Sequence, residues 1–99
     1  MTKSYSDFKS NAETKGINTE SDINELGYRL LSTNKIEMAV EIFKLNAASY
    51  PHSANAFDSL GDAYEKLRDK PSAIKSYRRA VEIDPGLEYV RNKLKRLSP

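Results

Sequence analysis

Few side chains in this chain have both the type and the setting for chemistry. His52 is its one histidine, and it follows Pro51 in a stretch that reads as a turn, where a polar surface residue is the ordinary expectation. A general base needs a partner that orients it, and a serine nucleophile would have to recruit this exposed imidazole. No Gly-x-Ser-x-Gly elbow is present either. Phosphate-cradling loops are excluded, because Gly16, Gly27, Gly61 and Gly86 stand isolated. The absence of cysteine removes disulfides, thiolate zinc sites and cysteine nucleophiles. The chain therefore reads as a non-enzyme, with no catalytic residue, no cofactor and no metal.

Charge is the next feature that could do work. The formal net charge of +2 hides an asymmetry: residues 1–67 carry 7 Lys/Arg against 10 Asp/Glu, and residues 68–99 carry 9 against 4. Lys75, Arg78, Arg79, Arg91, Lys93, Lys95 and Arg96 would suit nucleic acid or acidic lipid. Solvated helix faces explain them better, because Phe57, Tyr64 and Tyr77 fall at core spacing and leave only Tyr89 free to stack.

Whatever binds must be positioned by the elements, and these are legible as a repeat. Sliding the sequence by 34 residues aligns Leu26 with Leu60, Gly27 with Gly61, Ala39 with Ala73 and Pro51 with Pro85. Ile23 with Phe57, Leu30 with Tyr64, Val40 with Ile74, Phe43 with Tyr77 and Lys44 with Arg78 are conservative matches at the same offset. Within each unit the apolar residues keep helical spacing: Ile23, Leu26, Leu30, then Ala39, Phe43, Ala47; and Phe57, Leu60, Tyr64, then Ala73, Tyr77, Ala80. Each unit is thus two amphipathic helices, expected near 20–33 and 36–49, then 54–67 and 71–83. Thr19 and Ser53 stand where N-caps would accept backbone N–H bonds, and Pro71 suits a first turn. Pro51 and Pro85 end the second helix of each unit. Gly27 and Gly61 lie inside helices at a cost of about 1 kcal/mol each relative to alanine, and close approach of the paired helix at Ala39 and Ala73 would compensate.

Residues 54–85, with Phe57, Leu60, Gly61, Tyr64, Ala73, Tyr77, Ala80 and Pro85, resemble the tetratricopeptide repeat. The first unit fits less fully: Ile23 replaces the aromatic, Leu30 the tyrosine, and Asn46 a small apolar residue. The resemblance implies an all-α fold, two helix-turn-helix repeats stacked as a short right-handed solenoid. Its parts would be a tail or short packing helix over 1–19, repeats over 20–53 and 54–86, and a solvating helix over 87–99, with Leu87, Val90, Leu94 and Leu97 on one face. Stacked repeats generally need about three units to bury a continuous core, so the N-terminal segment or a partner chain would complete the array.

The resemblance also implies a protein-binding scaffold whose first helices line a concave groove. The lining positions would be Ser21, Asn24, Tyr28 and Ser32, then Asn55, Asp58, Asp62, Glu65 and Lys66, then Tyr89, Asn92 and Arg96. Family members that grip a terminal carboxylate use Lys, Asn and Arg, a clamp mostly missing here. Asp58, Asp62 and Glu65 would favour a basic or neutral peptide, with Tyr28 and Tyr89 available for flat apolar or cation–π contacts. A homo-oligomer is a further expectation, since exposed array ends find their own copies.

The runs Ile23–Tyr28, Ile42–Asn46 and Ser53–Gly61 resemble a more specific setting, the C-terminal repeat modules of bacterial serine hydrolases of β-lactamase-like or esterase-like type. That setting implies a module that orients or tethers a catalytic domain, and a periplasmic or exported location. Standing alone, the chain would be cytoplasmic, since its start is polar and no apolar run approaches the roughly 18 residues of a membrane span.

Overall fold

The computed structural model describes residues 19–98, so the expectations for residues 1–18 lie outside the described residues. Five helices follow in order: α1 Glu20–Ser32, α2 Ile36–Ser49, α3 Ala54–Leu67, α4 Lys70–Ile83 and α5 Glu88–Leu97. No strand is present among the described residues, and the fold is an all-helical solenoid. The bounds of α1 to α4 agree with the sequence reading to within a residue, and α5 is shorter than the expected 87–99.

α1, α3 and α4 begin where a side chain satisfies a free N–H group, whereas α2 and α5 start without a side-chain cap. Thr19 Oγ1 accepts from Asp22 N at 3.3 Å while Thr19 N donates to Asp22 Oδ2 at 3.1 Å, a reciprocal capping box. Thirty-four residues on, Ser53 Oγ accepts from Ala56 N at 3.2 Å. Asp69 caps α4 by accepting from Ser72 N at 3.2 Å, with Pro71 in the first turn.

The repeat extends to the turns. Asn34 and Arg68, one period apart, both take the left-handed conformation, with φ of 64° and 68°. Each closes the first helix of its pair with equivalent bonds: Lys35 N donates to Leu30 O at 2.8 Å and Asp69 N to Tyr64 O at 2.9 Å. The second helices end alike, with Tyr50 N on Asn46 O and Asp84 N on Ala80 O, both at 2.9 Å.

Packing follows from small residues and rings. Ala39, Val40, Phe43, Ala47, Ala56, Leu60 and Ala63 form one buried cluster; Ala73, Tyr77, Ala80 and Val90 form the next. Phe57 and Tyr64 touch both and make the core continuous. What meets the helical glycines differs from expectation. A Cβ on Gly27 would lie 2.3 Å from Phe43 Cε1, and one on Gly61 2.5 Å from Tyr77 Cε1. The aromatic ring of the paired helix therefore fills the notch, rather than a close approach at Ala39 or Ala73, and the buried ring area offsets the cost of glycine in a helix.

Two core assignments need correction. Leu60 is 7% exposed but its equivalent Leu26 is 37% exposed. The reason is positional: Leu60 packs against α2 of the preceding pair, and no described helix precedes α1. Asn46, a misfit in the repeat pattern, is wholly buried and donates from Nδ2 to Glu20 O at 3.3 Å. Its amide ties the second helix of the first unit to the start of α1. Glu20 also accepts a hydrogen bond from the Ser53 hydroxyl, joining the first turns of α1 and α3.

Candidate binding face

Side chains from α1, α3 and α5 meet on one face, because helical spacing repeats the same exposed stripe on each. Asp62 sits at the centre. Tyr28 from α1 donates its hydroxyl to Asp62 Oδ2 at 2.5 Å. The Tyr77 hydroxyl, reaching through from α4, lies 2.5 Å from Asp62 Oδ1 and 2.7 Å from Glu65 Oε1, so its one proton serves one acceptor at a time. From α5, Lys93 Nζ lies 2.9 Å from both Asp58 Oδ1 and Asp62 Oδ1. Arg96 holds Glu65 with two bonds, Nη1 to Oε2 at 2.9 Å and Nη2 to Oε1 at 3.1 Å. That fork geometry is the strong form of a carboxylate pair.

The electrostatics follow from these partners. Burial pushes the Tyr77 and Tyr28 hydroxyls well above the ordinary tyrosine range, and the hydrogen bond each makes to Asp62 adds to it. Burial also raises Asp58, against the opposing pull of Lys93. The Arg96 bond outweighs burial at Glu65 and lowers its carboxyl. For Lys93 burial works to lower the ammonium, but the bonds to Asp58 and Asp62 more than offset it and leave it raised. Its Nζ also lies 5.2 Å from the Tyr77 ring centroid and 5.4 Å from that of Tyr89, within cation–π range.

The ten expected partner-binding residues separate into three groups. Tyr28, Asp62, Glu65 and Lys66 line one cleft of about 550 Å³ between α1 and α3, with Leu31 and Ser32. Asp58 and Arg96 belong to the network but not to the cleft; Asp58 is only 5% exposed, so it supports the face from below instead of meeting a partner. Asn55, Tyr89 and Asn92 are exposed, whereas Asn24 is half-buried with Oδ1 lacking a partner among the described residues.

The sequence reading missed Lys93 and Tyr77 as members of this face. Lys93 belongs by composition to the basic C-terminal set, yet at the 34-residue offset it aligns with Ser59, which is buried, and that register marks it as a seam position. Tyr77 carried its signal in chemistry: its equivalent is Phe43, and a core position that exchanges Phe for Tyr implies a partner for the added hydroxyl. The three acids that were expected to attract a basic ligand are thus already paired with Lys93 and Arg96, which removes most of that attraction. The Ser-x-x-Lys spacing, absent from the sequence reading, does occur among the described residues, at Ser32 and Lys35 and at Ser72 and Lys75; the Ser32 hydroxyl donates to Arg29 O at 2.9 Å, and neither Ser72 nor Lys75 has a side-chain hydrogen-bonding partner among the described residues.

Comparison with known proteins agrees with this architecture. Residues 54–87 match the model of the tetratricopeptide repeat. The tetratricopeptide repeat domain-containing protein PYG7, chloroplastic, of Arabidopsis thaliana is 28% identical over 68 residues, which is 69% of this chain and 23% of that protein. The structure of MamA, residue 41 to the end, from Desulfovibrio magneticus RS-1 superposes with a TM-score of 0.74 at 21% identity, covering 97% of this chain and 54% of that one. The chain thus spans about a quarter and about half the length of these two relatives. Residues 54–87 thus match that repeat model, and the helix pair before them reproduces the cap of its first helix and its turns one period earlier.

Proposed function

We propose that this chain is a protein-interaction module that takes a polypeptide segment along the face built by α1, α3 and α5. The observation that carries the reading is the cleft of about 550 Å³ between α1 and α3, with Tyr28 on its wall. Tyr28 is fixed by Asp62 and by an edge contact with Phe43 at 5.1 Å between centroids, yet remains 37% exposed; Tyr89 is 51% exposed at the far side of the face. A half-exposed tyrosine held as Tyr28 is offers contact area at low entropic cost.

The preferred ligand follows from the charge state. Asp58, Asp62 and Glu65 are balanced by Lys93 and Arg96 within the chain, and Lys66 adds an exposed cation. A neutral polar segment with aromatic or amide groups therefore suits the face better than a strongly basic one. Titrating labelled neutral, basic and acidic peptides by fluorescence anisotropy tests this. The expected result is a preference for the neutral set, little salt dependence, and about tenfold weaker binding on Tyr28→Ala or Tyr89→Ala. A steeply salt-dependent preference for Lys/Arg peptides would restore the basic ligand, and binding indifferent to both tyrosines would move the site elsewhere.

The matched relatives are longer than this chain, which favours a modular setting. The hydrolase setting rests on the sequence resemblance; an immunoblot band several times 11.2 kDa with co-purifying esterase activity would select it, and a band at 11.2 kDa would discard it.

A further inference from the structure

A second cleft, of about 760 Å³, opens between α2 and α4 on a different side of α3 from Asp58, Asp62 and Glu65. Its floor is apolar: Phe57, Leu60 and Tyr64 from α3 lie at i, i+3 and i+7, so they share one stripe of the helix. Phe57 and Tyr64 join the two core clusters and are still only partly buried. The cleft is therefore an uncovered continuation of the core.

Its rim has one sign of charge. Lys44 stands on the α2 side, and Lys75, Arg78 and Arg79 on the α4 side; Glu82 is the single acid among the lining residues. Glu82 is taken up by Arg79 at 3.2 Å, and Arg79 in turn lies 5.9 Å from the Phe57 ring centroid. Lys44 has only a loose exposed contact with Glu41 at 3.6 Å. Lys75 and Arg78 are exposed and have no partner among the described residues. Lys75 and Arg78 are thus the two rim cations left unneutralised.

We propose that this cleft is a second docking site, and that its occupant is a short amphipathic peptide segment with acidic side chains. Apolar side chains of that segment cover the half-buried Phe57 and Tyr64, and its carboxylates pair with Lys75 and Arg78 on one rim and Lys44 on the other. Charge complementarity selects the acid. The floor selects a peptide over a nucleic acid: it lies between two helices, and Arg79 stands over the Phe57 ring, so the floor gives no open platform for bases. A volume near 760 Å³ lies within the range of pockets that enclose several side chains. The site is independent of the tyrosine face and would place two partners on opposite sides of one helix.

The probe is a labelled synthetic helix-forming peptide with Leu and Phe along one face and Glu along the other, titrated into the full chain by fluorescence anisotropy. Binding should weaken tenfold or more in the double variant Lys75→Glu with Arg78→Glu, whose helical circular dichroism should match that of the parent because both residues are exposed. Tyr28→Ala should leave binding of this probe unchanged, which separates it from the face of α1, α3 and α5. An analogue with Lys in place of Glu should not bind. The proposal is overturned if the charge-reversed double variant binds as the parent does, if the Lys analogue binds equally, or if Tyr28→Ala alone abolishes binding. It is also overturned if a single-stranded oligonucleotide displaces the peptide at equal concentration with a steep salt dependence, since the rim would then be a phosphate site.

Discussion

One methyl group tests how Tyr77 is seated. Glycine-to-alanine replacement inside a helix ordinarily gains about 1 kcal/mol, but at Gly61 the new Cβ would meet Tyr77 Cε1 at 2.5 Å and Cδ1 at 2.6 Å. Gly61→Ala should therefore lose about 1–3 kcal/mol, the usual cost of overpacking, read from the urea midpoint. A stabilised variant would mean that the ring has room. The glycines were legible as costs requiring a reason, because helical spacing placed them mid-helix. Their reason was not legible, since the identity of the opposing atom depends on how the two helices are rotated about their axes. The same limit explains the binding face. Tyr28, Asp62 and Glu65 could be assigned to one stripe by period, but their pairing with Lys93 and Arg96 lies 31 to 35 residues away for the acids, and only the packed array brings those stripes together.

At the level of the helix, identical repeat positions carry unequal energies. Leu60 is enclosed by the preceding pair and Leu26 is 37% exposed. Leu60→Ala should cost about 2–5 kcal/mol, as for a buried leucine, and Leu26→Ala distinctly less, both measured by thermal or urea unfolding. Equal losses would show that Leu26 is covered in solution by a helix packed before α1. The elements themselves were read well from sequence because their signals are local: Thr19 and Ser53 at the caps, Pro71 in a first turn, Pro51 and Pro85 beyond the ends. Arg68 gave little warning of the left-handed turn it closes, since arginine has no intrinsic preference for that conformation, whereas asparagine at the equivalent Asn34 adopts it readily.

For the whole molecule, the paired face links stability to pH with a defined sign. Tyr28, Tyr77 and Lys93 are all raised in the fold, so the folded chain keeps protons that the unfolded chain releases. Their contribution is complete below the ordinary tyrosine value of about 10 and is lost as pH rises from there through the folded values. Stability should thus fall above about pH 10, by roughly 1.4 kcal/mol per pH unit for each proton of difference. Chemical unfolding at a series of alkaline pH values reads this slope, and Tyr77→Phe should make it shallower even though that variant starts less stable. An unchanged slope would remove Tyr77 as a contributor. The acid side is less telling, because lowered Glu65 and raised Asp58 act in opposite directions there.

The seat of Tyr77 also makes a clock of that residue. Its ring is fully buried against Gly61, and its hydroxyl is held between two carboxylates. Such a ring turns over only when α3 and α4 part for a moment, so its two edges should give separate NMR signals at low temperature and merge on warming. The half-exposed Tyr89 should average throughout. The rate at which the Tyr77 signals merge then counts how often the repeat opens, and a slower merging when a peptide fills the face would show that binding at the surface quiets motion in the core.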